Sequence, residues 1–171
     1  MKRLICMLVF VLGFVTLSEA QRYAVIDSRY VLEQMPAYDQ AQQQLDDIAK
    51  QWQEEIDGKF GKVQQLYKEY SAEKVMLSDD LKQKRQDEIM QLEKEAQDLQ
   101  KQRFGYEGDL FEKRKELIKP IQDKVYNAVQ QLAAQKMYDF VLDKSAGVTV
   151  FYVDPKLDQS EEVLKILGLK K

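Results

Sequence analysis

The residues that could do chemistry are few, and their spacing argues against most of it. The chain has no histidine, which removes the commonest general base and the commonest metal ligand. Two adjacent carboxylate pairs, Asp79 with Asp80 and Glu161 with Glu162, each follow a serine suited to cap a helix. Both pairs read as complements to the positive end of a helix dipole, not as acid/base couples. Gly58 with Gly61, and Gly105 with Gly108, do not match a phosphate-cradling loop. They fall within helical pattern, where each costs roughly 1 kcal/mol relative to Ala, so local bending of helices is expected. The expectation is a protein that is not an enzyme, with no catalytic residue, no cofactor and no metal site.

Apolar contact is the chemistry on offer instead. Tyr67, Tyr70, Ala72, Val75, Met76 and Leu77 cluster just ahead of the charged run Lys82-Gln83-Lys84-Arg85-Gln86-Asp87-Glu88. Apolar side chains rimmed by charge mark interaction surfaces, and Met adapts to many partners. The candidate binding residues are therefore Tyr67, Tyr70, Val75, Met76 and Leu77.

These residues must be positioned by a helical hairpin. Residues 38–136 contain a single proline, Pro120, and are rich in Gln, Lys, Glu, Leu and Ala. Apolar residues recur at Leu45, Ile48, Trp52, Ile56, Phe60, Val63, Leu66 and Tyr70, steps of three and four that place one stripe on a helix face. The stripe restarts with Leu81, Ile89, Leu92, Ala96 and Leu99 and continues to Leu132. Ser78 is the expected N-cap of the returning helix. A reversal between Leu77 and Ser78 sets residue i opposite residue 155 minus i, which pairs Leu66 with Ile89, Val63 with Leu92, Ile56 with Leu99 and Leu45 with Leu110. Four apolar matches at one register predict an antiparallel coiled coil. Trp52 then faces Arg103, as a cation-π pair or as a core Trp covered by the Arg stem. Tyr70 faces Arg85 and Tyr67 faces Glu88, so the tip is short of apolar partners. Arms of roughly 40 residues reach on the order of 60 Å, too long and thin for a self-sufficient globule.

At the start of the chain Lys2 and Arg3 precede the apolar run from Leu4 to Leu17, which ends in Ser18-Glu19-Ala20. This is the pattern of a signal peptide cleaved after Ala20, and it predicts an exported, soluble protein. Cys6 leaves with the leader, so the mature chain of 151 residues has no cysteine and no disulfide. Removing Lys2, Arg3 and Glu19 takes the 26 basic and 29 acidic residues to 24 and 28, a net of −4. That balance gives nucleic-acid binding little electrostatic support.

Outside the hairpin, residues 22–27 read as a strand and Ser28 as the cap of a short helix that Pro36 stops. Residues 137–142 and 148–153 are β-branched and aromatic, with the turn Lys144-Ser-Ala-Gly147 between them, and read as a β-hairpin. Ser160 is the expected cap of a final helix before Gly168. The fold class is α+β: an arm over residues 38–119 with its tip near 75–80, on a small body from residues 21–37 and 120–171. Three strands with unpaired edges and few core residues favour burial against identical copies, with the strands closing into a barrel.

This order of elements resembles the Skp family of periplasmic chaperones, also called OmpH-like proteins. The likeness spans the mature chain: the strand and short helix of residues 23–35, then Met35-Pro36-x-Tyr38-x-x-Ala41, then Tyr138-Asp-Phe-Val-Leu-Asp143 and Asp158-Gln-Ser-Glu-Glu-Val-Leu164. The resemblance implies a homotrimer with a central β-barrel and three helical tentacles that hold unfolded outer membrane proteins without ATP in the periplasm. The chain departs from the best-known members in being acidic, with a pI near 5.2. From Lys62 to Lys94 seven basic residues meet seven acidic ones, so no lipid-binding site is carried over and contact with a membrane surface stays open. The alternative function on the same coiled coil is a structural spacer or adaptor of the cell envelope that binds one folded partner.

Overall fold

A computed structural model describes residues 21–147 and 150–170. The signal-peptide assignment and Cys6 lie outside the described residues, as do Val148 and Thr149 of the expected last strand. The elements in order are strand β1 (Tyr23–Ile26), helices α1 (Ser28–Glu33), α2 (Pro36–Glu73), α3 (Asp79–Phe104) and α4 (Asp109–Lys136), strand β2 (Phe140–Asp143) and helix α5 (Ser160–Ile166). Contacts divide them into two units, one of the residues up to Val31 with those from Val125 on, and one running from Leu32 to Lys124.

The second unit carries the hairpin. Met35, extended as a residue before proline must be, hands over to Pro36 at the first position of α2, where its missing N–H costs nothing. Thirty-eight residues give α2 a length of roughly 57 Å. It packs on α3 through the expected stripe, with Ile56 1% exposed and Ala96 fully buried. Burying a side chain such as Ile56 contributes about 1.5–3 kcal/mol. The expected antiparallel register appears where it can be measured: the Arg103 guanidinium lies 4.6 Å from the centre of the Trp52 ring. Phe104 meets the same ring edge-on at 6.4 Å.

The four glycines behave differently from one another. Gly58 and Gly61 sit inside an unbroken α2, with open space where a side chain would go. Gly105 and Gly108 break the return path, contrary to the expected gentle bend. Gly105 turns extended while its N–H donates to the Lys101 carbonyl, and a Cβ there would collide with that carbonyl oxygen. Between them Glu107 adopts a left-handed φ of 52°. Arg103 spans the break by donating to Asp109 at 2.6 Å.

The first unit is a small sheet with helices. β1 and β2 pair in parallel, Tyr23 opposite Phe140 through Ile26 opposite Asp143. The expected hairpin of residues 137–142 with 148–153 is therefore corrected: β2 starts later and joins β1, and residues 150–153 form no strand. Parallel strands need a long crossover, which the four helices between β1 and β2 supply. The far edge of β1 is also covered, since Val25 N–H donates to Leu157 O at 2.9 Å and Gln159 N–H to Val25 O at 2.8 Å. Ala24, Val25 and Ile26 of β1, Val31 of α1, and Val163 and Leu164 of α5 are all at most 5% exposed and form the core of this unit, together with Val125, Ala128 and Leu132 on the last part of α4.

Two expected caps are reassigned. Asp27, not Ser28, caps α1, accepting from Tyr30 N–H at 3.0 Å, while Ser28 Oγ pairs with Ser145 Oγ at 2.8 Å. Ser160 is the first residue of α5 and 4% exposed, accepting from Asp27 N–H at 2.8 Å and donating to Asp158 Oδ1 at 2.6 Å. Asp158 also accepts from Lys144 at 2.7 Å. Burial pushes the Asp158 carboxyl up, but the bonds from Lys144 and Ser160 outweigh it and hold the group below its ordinary value. The Asp143 carboxyl is likewise raised by burial and lowered, net, by Ser28 and Ser145.

Depressed carboxylates stabilise the folded state above their unfolded pKa of about 4, and this contribution is lost as pH falls through the lower folded values. Thermal melts should therefore show stability dropping as pH falls below about 4. Asp158→Asn should lose roughly 2 kcal/mol at pH 7 and show a shallower acid dependence.

Helix ends supply another test. At the end of α4 Met137 has φ 54° and Tyr138 N–H donates to Ala133 O, the same closing pattern that Gly168 and Leu169 make after α5. A left-handed Met is strained where Gly is not, so Met137→Gly should raise stability by about 1 kcal/mol in chemical denaturation.

Candidate functional site

The far end of the hairpin is built by a turn that uses little side-chain bonding. α2 ends when Lys74 N–H donates to Tyr70 O at 2.8 Å, and Met76 N–H then donates to Glu73 O at 2.8 Å. Ser78 takes the expected N-cap position in extended conformation, but its side chain makes no capping bond. Asp79 does complement the start of α3. It accepts from Lys82 at 2.9 Å, a bond that with the lysine charge holds its carboxyl below the ordinary value.

The five candidate binding residues are not equivalent. Val75 is 93% and Met76 81% exposed on the turn, and Tyr67 is 61% exposed about two turns back on α2. Leu77 is half-buried. Tyr70 alone is buried, at 7% exposure, with the Lys74 ammonium 5.9 Å from its ring centre. The fold thus leaves Val75, Met76 and Tyr67 exposed and Leu77 half-exposed, and withholds Tyr70. Leu81 and Met90, at 48% and 65% exposure, add apolar surface on α3. Met90 was outside the sequence-based set because it sits beside Ile89, off the packing stripe; that displacement is the signal that marks it.

Charge around the tip is balanced and locally paired. Lys82 bridges Asp79 and Arg85 bridges Glu88, each one helical turn apart on exposed surface. Such pairs contribute at most a few tenths of a kcal/mol each. They leave no net field to attract a polyanion. The arrangement offers apolar contact within a neutral, solvated rim.

A second apolar cluster surrounds the helix break, where Tyr106 is 96% and Phe111 48% exposed. A concavity lies elsewhere, in the first unit, a groove of about 780 Å³ bounded by Asp27, Tyr30, Lys144, Phe151, Tyr152 and Glu161. Its ionisable groups are engaged with one another, Lys144 with Asp158 and Tyr30 with Glu161 at 2.7 Å. Among the described residues no three His, Cys, Asp or Glu side chains are grouped to hold a metal, and no helix is long and apolar enough to cross a membrane.

Comparison with known proteins gives one family and one fold. The family model for outer membrane protein (OmpH-like) matches residues 22–167. The chain is similar in structure to a candidate outer membrane chaperone (OmpH-like) from Caulobacter crescentus CB15, solved by crystallography. The TM-score is 0.70 at 15% identity, over 88% of this chain and 84% of that one. No curated protein matches the chain.

Proposed function

This chain belongs to the OmpH-like family of outer membrane proteins, and on that footing we propose that it is an ATP-independent periplasmic chaperone that holds unfolded outer membrane proteins and prevents their aggregation. The observation that carries the reading is the tip: Val75 and Met76 are 93% and 81% exposed on the turn, and Tyr67 on α2 is 61% exposed, so none of the three belongs to a core. Apolar side chains held out of both cores are suited to many weak, quickly broken contacts, which a chaperone needs if it is to release clients without nucleotide. Export is supported by the leader-like run ending in Ser18-Glu19-Ala20.

A homotrimer with a shared β-barrel completes the proposal. Supporting it, the outer edge of β2 carries no strand partner among the described residues, and Phe140 and Leu142 on β2 are 43% and 41% exposed. Phe151 and Tyr152 are 96% and 80% exposed in a segment of high β-propensity. An open edge, an exposed apolar face and an unpaired β-prone segment in one unit suit strand addition between copies.

The test is a light-scattering assay in which a urea-unfolded β-barrel protein is diluted into buffer with and without this chain. Suppressed aggregation across several unrelated clients is the expected outcome. Binding to one folded envelope protein with no effect on scattering would replace the chaperone by an adaptor.

A further inference from the structure

Tyr70 is buried at a place where little justifies its burial. It is the last buried residue of α2, and its counterpart as the first buried residue of α3 is Ile89. Beyond this pair neither helix buries another side chain: α3 from Asp79 to Glu88 is exposed or half-buried throughout, and Leu81 is 48% exposed. The tip end of the hairpin is therefore closed by one aromatic ring and one isoleucine, with few apolar contacts to resist separation.

The same ring carries an unmet demand. The Tyr70 hydroxyl is fully shielded from solvent and has no hydrogen-bond partner among the described residues. A buried phenol normally finds a partner, and one that does not loses its bond to water on closure with nothing in exchange. Opening the tip restores that bond, so the hydroxyl favours the open state while the ring favours the closed one.

We infer that Tyr70 is a latent client-contact residue, buried in the resting tip and released when α2 and α3 part. This deepens the proposed chaperone function and rests on it. In the open tip the ring of Tyr70 joins Tyr67, Val75, Met76 and Leu77 as one apolar surface. Its hydroxyl becomes a donor for the backbone carbonyls of an extended, unfolded polypeptide, groups that every client offers in the same form. Burial at rest keeps that surface small when no client is present, which limits association of tips with one another. The hydroxyl thus sets both the ease of opening and part of the grip.

Tyr70→Phe removes the hydroxyl and keeps the ring, so it tests the inference without endangering the fold. Once the helices separate, the short ends around Tyr70 lose tertiary support and fray, so amide hydrogen exchange over residues 66–90 reports opening. Exchange there should slow roughly tenfold in Tyr70→Phe, the size expected for relief of one unsatisfied buried hydroxyl. Aggregation of a urea-unfolded β-barrel protein should be suppressed less well by the variant at equal concentration. Unchanged or faster exchange overturns the inference, because the hydroxyl then does not oppose closure. Slower exchange with undiminished suppression also overturns it, because clients then do not use the released residue. A parent chain that leaves aggregation unchanged instead removes the chaperone reading and the client role with it, whatever the exchange result.

Discussion

A chain carrying Val150→Pro should sediment as a monomer at concentrations where the parent sediments as a trimer. Within one chain, residues 150–153 make no strand and no backbone hydrogen bond to the other described residues. Val150 is 36% exposed, and Phe151 and Tyr152 are 96% and 80% exposed. Proline at this position therefore removes no backbone hydrogen bond that the monomer uses. In an intermolecular sheet it removes a ladder donor and sets a ring against the neighbouring strand, which confines proline to edges. In the proposed trimer, three-fold symmetry would repeat the lesion at every interface. A lost ladder bond of about 0.5–1.5 kcal/mol, with imperfect burial of two aromatic side chains worth about 1.5–3 kcal/mol each, adds up to several kcal/mol over the assembly. Sedimentation equilibrium reads the mass, and far-UV circular dichroism should show the helices intact in the variant. A parent chain of monomer mass at all concentrations, or a variant that remains trimeric, would remove the shared barrel from the proposal.

The helices were legible because their signal is local. Steps of three and four from Leu45 to Tyr70 required one buried face, and the charge-rich opposite face left no competing choice. The reversal near Ser78 and the meeting of Trp52 with Arg103 follow from that stripe once the turn is placed, and the structure holds them at that register. Strand partners were not legible in the same way. Residues 140–143 carry the same propensity whether they pair antiparallel with 150–153 or in parallel with β1. What decides is distant in sequence: Asp143 accepts from Ser28 N–H at 3.1 Å and Lys144 N–H donates to Ile26 O at 2.9 Å. These bonds draw the expected turn residues into the sheet and away from a hairpin.

The serines and glycines show the same division. Ser28 and Ser160 have cap chemistry, but an aspartate one or two places earlier, Asp27 or Asp158, accepts the nearby N–H instead. The pairs Gly58–Gly61 and Gly105–Gly108 have identical spacing, yet only the second breaks a helix. The first lies where no neighbour approaches, whereas the second closes a turn too tight for a Cβ. In the candidate site, stripe logic put Tyr70 on the packing face while the facing charges suggested exposure. The ring is buried and its hydroxyl stranded, a compromise between two signals that neither one announces.

Replacing Val75, Met76 and Leu77 together by Ser should weaken capture of an unfolded outer membrane protein roughly tenfold or more. Client contacts must be numerous and individually weak, so each side chain is expected to contribute only a fraction of the 1.5–3 kcal/mol that complete burial gives. Three such fractions, at about 0.5–1 kcal/mol each, correspond to one to two orders of magnitude in affinity. The same substitutions should scarcely affect the fold. Val75 and Met76 are exposed beyond 80%, where replacements usually fall within about 0.5 kcal/mol, and half-buried Leu77 is the only one with packing to lose. Trimer mass and helicity should stay unchanged, because the turn belongs to neither β1, β2 nor the exposed segment at residues 150–153. Reversing the charges of Lys82, Lys84 and Arg85 should act differently, altering the salt dependence of capture more than its strength, since exposed charges are screened over about 10 Å at 0.1 M salt. Titrating each variant against the aggregation of a urea-unfolded client measures both effects. If the triple Ser variant protects the client as well as the parent does, the grip moves to the helix break, where Tyr106 at 96% exposure and Phe111 at 48% offer further apolar surface. A tip that only spaces the arms apart would then leave capture to residues whose exposure is fixed by Gly105 and Gly108, and Tyr106→Ser would become the substitution that abolishes it.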